Sequence, residues 1–187
     1  MNKTILAIAL SIAALGTAQA QTRFFVGAGL TGGGDKLATA RYERLGNVDI
    51  RAGGLLAFTG GVDYTVSPQF ALQASIGYHV DQAHADNGEI RFQRFPIELL
   101  AYYTPAPQWR LGAGARYLAD PKLSSSGAGY IGDYQFDSST GGIVEAEYMV
   151  SPQIGVKVRY VAEKLQFKNS SAEVDGNHVG IFANFYF

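Results

Sequence analysis

The sequence predicts an all-β fold, an eight-stranded antiparallel up-and-down transmembrane β-barrel. Three observations lead to this prediction: apolar and polar residues alternate in segments of about ten residues, short and long connections alternate, and aromatic residues gather near the segment ends. Tilted strands that cross a bilayer have this length and this period. Residues 1–20 have a different pattern, and the length of the remaining chain favours one domain, so we expect a single barrel domain over residues 21–187.

Residues 1–20 have the pattern of a secretory signal peptide. Lys3 supplies a positive start, an apolar run extends from Ile5 to Leu15, and Ala18-Gln19-Ala20 is a small-residue cleavage pattern. The apolar run is too short to span a bilayer comfortably, which favours a cleaved signal over a retained anchor. We therefore expect export and a mature chain that begins at Gln21.

Eight segments after residue 20 alternate in polarity. In the clearest one, from Ile154 to Glu163, one face is apolar and the other carries Lys157, Arg159 and Glu163. The other apolar stripes, read at every second residue, lie at 24–30, 56–64, 70–78, 95–103, 109–117, 144–150 and 179–187. No stripe position is charged, so these faces suit hydrocarbon.

The opposite faces of the same segments are polar. They hold Arg23, Thr59, Asp63, Gln73, Ser75, His79, Arg94, Glu98, Arg110, Arg116, Glu145, Glu147, Lys157, Arg159, Glu163 and Asn184. A water-soluble barrel would bury the apolar face, whereas a membrane barrel buries the polar one. Periodicity alone leaves both arrangements open.

Aromatic residues favour the membrane arrangement. One group lies at one end of the stripes and a second group lies nearer the other end, as two interfacial girdles would. The first group is Tyr64, Phe70, Tyr103, Trp109, Tyr148 and Phe187, and the second is Tyr78, Tyr117 and Tyr160.

The lengths of the connections between segments also favour the membrane arrangement. Short proline-bearing turns occur at 67–69, 104–108 and 151–153, and proline suits turns because it fixes φ. Long polar connections lie between them, at 31–53, 81–89, 120–141 and 168–177. Short periplasmic turns and long external loops are the arrangement of outer-membrane barrels.

Composition excludes several classes of protein. The formal net charge of −1 argues against a nucleic-acid partner. The chain has no cysteine, which excludes disulfides and thiolate chemistry. No run of 18 apolar residues follows the signal segment, so helical membrane spans are not expected.

The chain resembles the small outer-membrane barrels typified by the membrane domain of outer membrane protein A, OmpX and the opacity proteins. Its end, Val179-Gly-Ile-Phe-Ala-Asn-Phe-Tyr-Phe187, alternates apolar residues and stops at phenylalanine. The resemblance implies location in the outer membrane of a Gram-negative cell envelope and recognition of this segment by the barrel-assembly machinery. It says little about activity, because such barrels host several functions.

The inward charges leave two interpretations open. Five basic and five acidic residues face one another, with Arg23 at the periplasmic rim. Buried charges must be paired, which favours a salt-bridged, partly hydrated plug. The same residues would line a narrow, porin-like channel for small or hydrophobic solutes, and this remains the first alternative.

A lipid A-modifying enzyme is the second alternative. His79 and His178 lie near the loop ends of strands and His84 lies in a predicted loop, with Ser75, Asp81 and Ser171 near them in sequence. A Ser-His-acid site needs geometry that spacing cannot establish. His79, Ser75 and His178 are also predicted to face inward, away from the outer leaflet. We therefore expect no enzyme and assign no catalytic residue.

Metal and cofactor sites are not expected either. Asp81, His84 and Asp86 offer possible ligands, but scattered groups in a solvated loop rarely form a site. Gly32-Gly33-Gly34 lacks the ending of a phosphate-binding loop and is interpreted as the start of a flexible loop.

The external loops remain as the expected working surface, since loops carry function on rigid barrels. The connection at 120–141 is predicted to expose Tyr130, Tyr134 and Phe136, which would either bind a partner or pack on the barrel rim. We expect a monomer with a structural or surface-interaction role through these loops, in contact with outer-membrane lipids and lipopolysaccharide.

Overall fold

The computed structural model describes residues 21–42, 46–85, 88–127, 130–168 and 170–187. The predicted signal peptide lies outside these residues. Among these residues, the structure contains no helix with the length and apolar content of a membrane span.

Strands make up most of the described chain, and we number them in chain order. They are β1 (Gln21–Gly33), β2 (Lys36–Tyr42), β3 (Gly46–Arg51), β4 (Leu55–Ser67), β5 (Phe70–Ala85), β6 (Gly88–Ala106), β7 (Trp109–Gly127), β8 (Tyr134–Gln135), β9 (Ser139–Met149), β10 (Ile154–Ala162), β11 (Lys164–Gln166), β12 (Glu173–Asp175) and β13 (His178–Tyr186).

Eight of these strands form a closed antiparallel barrel. Their order around the wall is β1, β4, β5, β6, β7, β9, β10 and β13. The first and last strands pair from Phe25 opposite Tyr186 to Gly33 opposite His178, which closes the sheet without a free edge. The predicted fold class is confirmed.

The barrel wall is apolar outside and polar inside. Along β10, burial alternates at every residue from Ile154 to Ala162, as a pleated strand requires. The predicted apolar stripes lie on the outer face, with side chains such as Ile76 and Leu99 exposed. The predicted inward charges are buried, apart from the half-buried Arg23 at the rim. The inverted arrangement predicted from the aromatics and the turns is therefore confirmed.

Strand β6 changes polarity along its length. Between Phe95 and Tyr103 its outer residues are apolar. Nearer the start of the strand, the same face carries Glu89, Arg91 and Gln93. Its inner face changes in the opposite sense at the same height, from Glu98 and Arg94 to the buried Phe92 and Ile90. This is the change expected where a strand leaves hydrocarbon and enters water.

A bulge at Asp120 keeps the partner strand β7 in phase with this change. Gln93 pairs with Lys122 and Phe95 pairs with Ala119, so β7 contains one extra residue at this point. Asp120 has φ of 41°, in the left-handed region that aspartate tolerates better than most residues. The extra residue turns Leu123 inward, where it is buried.

The long connections are more ordered than the sequence predicted. Strands β5, β6 and β7 continue into the segments predicted as loops at 81–89 and 120–141, and β2 and β3 form a hairpin within 31–53. A second small hairpin, β11–β12, lies between β10 and β13. The physical reason is that these segments also contain alternating apolar residues, which pack against one another outside the wall.

An apolar cap forms where these segments meet. We define the cap as the buried cluster of Ala38, Ile50, Ala52, Ala83, Ile90, Phe92, Leu118, Leu123, Phe136 and Leu165. It combines the inner faces of the extended strands with residues of both hairpins. The cap covers the end of the barrel from which the long connections emerge.

The glycine run at 32–34 is not the free loop start that the sequence suggested. Gly33 has φ of 134° and Gly34 has φ of 72°, so both adopt backbone conformations that favour glycine. A Cβ at Gly33 would lie 2.7 Å from the carbonyl oxygen of Asn177. The run is a tight turn packed against the chain that enters β13.

Candidate functional site

The lumen of the barrel contains buried charges in three connected groups. The lower group lies nearest the short turns and is centred on Asp63 and Arg110. Arg110 is 2.5 Å from Asp63 and 2.9 Å from Glu147, and Arg23 is 2.6 Å from Asp63. The hydroxyl of Tyr186 donates a hydrogen bond of 2.7 Å to Glu147. Each charge in this group has a partner of opposite sign.

The middle group crosses the lumen between β6, β7, β9 and β10. Arg159 lies 2.8 Å from both Glu98 and Glu145. Arg116 also reaches Glu98, at 2.9 Å, and Lys157 reaches Glu145, at 2.8 Å. The predicted pairing of the inward charges is therefore confirmed.

The upper group lies beneath the cap and contains both inward histidines. The rings of His79 and His178 have centroids 5.3 Å apart, in an edge-to-face arrangement. Nε2 of His79 lies 2.7 Å from Oγ1 of Thr31, and Nδ1 of His178 lies 2.8 Å from the carbonyl oxygen of Gly176. Glu163 is within 3.7 Å of His178.

Arg94 joins the upper group to the first long connection. This fully buried side chain donates hydrogen bonds to the carbonyl oxygens of Ala52 and Gly54, just after β3. Asp81 accepts a hydrogen bond of 2.8 Å from the backbone N–H of Arg51 in the same region. We call these contacts the latch, because they hold the β2–β3 hairpin against the barrel mouth.

The sequence placed His79, His178 and Ser75 on the inner face, and the structure confirms this. All three are buried. Spacing could not show that His79 and His178 meet, because the contact depends on the pairing of β1 with both β4 and β13. The sequence predicted that His84 lies in a loop, and this prediction was wrong, because β5 extends through His84.

The candidate metal ligands are not brought together. Asp81 is buried on the inner face of β5, whereas His84 is exposed on its outer face. Asp86 lies outside the described residues. Within the described ranges there is no group of three or more His, Cys, Asp or Glu side chains placed to hold a metal ion.

The aromatic residues of the third long connection, between β7 and β9, separate into two classes. Phe136 was predicted to be exposed, but it is completely buried in the cap, where its backbone forms an isolated bridge with Phe167. Its ring centroid lies 5.5 Å from that of Phe92 and 4.5 Å from that of Phe167. Tyr130 and Tyr134 are exposed, as predicted, at 70% and 44%.

A cavity of about 510 Å³ opens at the opposite end of the barrel. The short turns form its rim, and Arg23, Asp63 and Arg110 lie at its base. The lower charge group therefore separates this cavity from the rest of the lumen.

The comparisons with known proteins agree with this geometry. Residues 5–187 match the family model described as the outer membrane protein beta-barrel domain. The chain belongs to this family. No match was found among curated proteins.

Two solved outer-membrane barrels are similar to the chain. Neisserial surface protein A is 11% identical with a TM-score of 0.54, and the alignment covers 91% of this chain and all of that one. Ail, the attachment invasion locus protein of Yersinia pestis, is 11% identical with a TM-score of 0.58 over the same shares. At this identity the likeness shows the fold alone.

Family membership places this barrel in the outer membrane. The apolar band on its wall then faces hydrocarbon, and the short turns and the 510 Å³ cavity lie on the periplasmic side. The cap, the latch and the exposed Tyr130 and Tyr134 lie on the extracellular side.

Proposed function

We propose that this outer-membrane protein is a closed barrel that supports an extracellular interaction surface. The observation that carries the proposal is the apolar cap, which lies over an ion-paired lumen. A water-filled pore lined by paired charges would not need an apolar cover. The protein has instead formed a small folded unit above the membrane, which is suited to hold surface residues in fixed positions.

The cap supplies rigidity to the surface. The ring of Phe167 contacts Phe136 from the cap side and Tyr134 from the outer side, where the centroids are 5.9 Å apart. Exposed Tyr134 is thus backed by the half-buried Phe167, which in turn packs on the buried Phe136. Large exposed aromatic side chains on a rigid support are typical of binding surfaces.

We further propose that Tyr130, Ile131 and Tyr134 form the central part of this surface. All three are exposed, and the Tyr134 hydroxyl donates a hydrogen bond of 3.3 Å to the carbonyl oxygen of Ile131. Asp133, between them in sequence, lies 3.9 Å from Lys122. Lipopolysaccharide is the partner that we propose, because its saccharides surround the extracellular end of any outer-membrane barrel. The three residues would contact it from where they lie, and the lumen would not have to open.

Export, assembly and oligomeric state belong to the same proposal. We expect cleavage after Ala20, so N-terminal sequencing of the outer-membrane fraction should begin at Gln21. We expect the segment ending at Phe187 to be recognised by the assembly machinery, so removal of Phe187 should lower the amount of folded barrel in that fraction. We expect a monomer, which light scattering in detergent would test.

The surface assay tests the proposal directly. The mature chain is refolded in detergent, transferred to lipid nanodiscs and passed over immobilised lipopolysaccharide. We expect binding, and we expect a loss of at least tenfold in the variant Tyr130→Ser/Tyr134→Ser. Tyr103→Ser is the matched control, because Tyr103 is 45% exposed, close to the 44% of Tyr134, but belongs to the girdle at the periplasmic end of the stripes. Equal binding by both variants and the parent would contradict the proposal.

The two alternatives are tested on the same protein. A channel should conduct in planar bilayers and should change conductance with Glu98→Gln, whereas the closed barrel should not conduct. A lipid A-modifying enzyme should change lipid A acylation, and the change should disappear with His79→Ala or His178→Ala. Either positive result would replace the proposed function.

A further inference from the structure

The hydrocarbon-facing wall contains a groove that the proposed function does not use. The groove has a volume of about 520 Å³ and crosses the outer faces of β1, β4, β5 and β6. Phe24, Ile76 and Ile97 form its raised sides, and the small residues Gly60, Gly61 and Ala74 lie between them. Its exposed surface is almost entirely apolar.

The groove exists because one stripe position has no side chain. Gly60 lies opposite Val26 on one neighbouring strand and opposite Ile76 on the other. An outward side chain at this position would fill the space between these two neighbours. A Cβ placed on Gly60 would meet only ordinary contacts, at 3.7 Å from the carbonyl oxygen of Phe25 and 4.0 Å from a Val26 methyl. The fold therefore does not require glycine here.

The groove runs from the periplasmic interface to the middle of the membrane. At its periplasmic end, Phe24 packs on Phe187 with ring centroids 6.2 Å apart. The six-residue step from Phe70, in the periplasmic girdle, to Ile76 is about 20 Å along the strand at about 3.4 Å per residue. With a strand tilt of about 45°, this is about 14 Å of depth, or half of a hydrocarbon core of about 30 Å. That depth is one leaflet.

We propose that the groove binds one acyl chain of a phospholipid in the periplasmic leaflet. The occupant follows from the surroundings, because the outer stripes face hydrocarbon and carry no charged residue. An acyl chain in the groove contacts side walls and floor at once, and each added contact at van der Waals distance contributes dispersion energy. A flat stretch of wall offers contact on one side only.

A second copy of the chain is a poorer occupant. A stable protein interface buries about 800 Å² on each partner, whereas this recess is a narrow channel between raised side chains. The opposing barrel would also have to present a ridge that fits it. The groove suits a single flexible chain better than another rigid wall.

Filling the groove tests the inference. The parent barrel, Gly60→Leu and the control Gly142→Leu are placed in nanodiscs of phosphatidylethanolamine, and the phospholipids retained by each protein are counted by native mass spectrometry. Gly142 is an outward glycine of β9 with no atom within 4 Å of its Cβ position, and it lies outside the groove. We expect the parent and Gly142→Leu to retain one phospholipid, and Gly60→Leu to retain at least fivefold less.

Three results would overturn the inference: equal retention by Gly60→Leu and the parent, preferential retention of lipopolysaccharide when both lipids are offered, or a dimer in place of a lipid adduct. Retention should be the same with phosphatidylglycerol, since no charged group is available to select a headgroup. Heat-modifiable gel mobility reports whether each variant has folded.

If Gly60→Leu fails to fold, Ala74→Leu fills the groove from β5, and the number of phospholipids that it retains is measured in the same way. The surface assay is independent, so each proposal can fail alone.

Discussion

Arg159 holds Glu98 in a two-point contact across the lumen, from β10 to β6. Nη1 donates to Oε1 at 3.2 Å and Nη2 donates to Oε2 at 2.8 Å. This planar geometry is available to arginine and not to lysine. Because Arg159 also reaches Glu145 at 2.8 Å, one guanidinium joins two of the buried carboxylates.

Arg159→Met should therefore destabilise the barrel strongly. Removing one partner of a buried ion pair leaves uncompensated charge and costs about 3–5 kcal/mol. Remaining contacts from Arg116 to Glu98 and from Lys157 to Glu145 place the expected loss at the lower end. Urea unfolding of the refolded barrel, followed by the fluorescence of the single tryptophan Trp109, measures the free energy of unfolding.

Lys164→Met is the control for this prediction. Lys164 pairs with Glu173 at 3.4 Å on the surface of the second hairpin, where both side chains are more than half exposed. Exposed pairs contribute about 0–1 kcal/mol. Equal free energies of unfolding for Arg159→Met and Lys164→Met would show that the buried pairs contribute little.

Arg94→Met should release the first hairpin from the barrel mouth. The side chain would lose both hydrogen bonds to the carbonyl oxygens of Ala52 and Gly54, while the wall strands keep their ladder. We expect trypsin to cleave at Lys36 and Arg51 at least tenfold faster, with heat-modifiable mobility retained. Arg91→Met is matched to it, because Arg91 pairs with Glu89 on the outer face of the same strand. An unchanged cleavage pattern in Arg94→Met would mean that the latch does not hold the hairpin.

Phe136→Ala should open the cap without unfolding the wall. Truncation of a buried phenylalanine costs about 3–5 kcal/mol in a close-packed core, and here the loss falls on the small unit above the membrane. Hydrogen exchange should accelerate at β8, β11 and β12, and remain slow in β10 and β13. Tyr134→Ala removes an exposed ring and should leave exchange in the cap nearly unchanged. Acceleration spread evenly over the barrel would instead indicate that cap and wall unfold together.

The sequence predicted the membrane-spanning part of the fold well, for a physical reason. Pleated strands place alternate residues on opposite faces, so the stripe from Ile154 to Ala162 separates an apolar face from a polar one. The aromatic girdles and the turn lengths then assign the apolar face to the outside. The sequence also predicted that the inward charges would form ion pairs, since Arg159 and Glu98 both lie on the inner face. The partner of each charge could not be predicted, because it depends on the register between strands.

The cap was harder to predict, because the rule that locates the wall reverses above the membrane. Ile90 and Phe92 lie on the same face of β6 as Arg94, yet they are buried for the ordinary reason that apolar groups avoid water. The apolar residues Val48 and Ile50, two positions apart, are the sequence signal for β3 in the first hairpin. The burial of Phe136 could not be predicted from its own segment, because it depends on residues of both hairpins.

The carboxyl of Asp49 on the first hairpin provides a prediction about pH. Its pKa lies below the ordinary value of 3.8, first because Thr39 Oγ1 donates a hydrogen bond of 2.8 Å to it, and further because Lys36 and Arg51 are near. Burial acts in the opposite direction and is outweighed. A lowered pKa means that the folded hairpin favours the carboxylate, so this contribution is complete above about pH 3.8 and is lost as the pH falls through the folded pKa.

Thr39→Val removes the hydroxyl and keeps the shape of the side chain, so the pKa of Asp49 should rise towards 3.8. Lys36→Met should raise it less, because the Lys36 ammonium lies 3.6 Å away and is half exposed, where solvent screens its charge. Titration of the Asp49 carboxyl by carbon-13 NMR on the refolded barrel measures both values. A larger rise in Lys36→Met than in Thr39→Val would mean that charge, and not the hydrogen bond, sets the affinity of this carboxylate for protons.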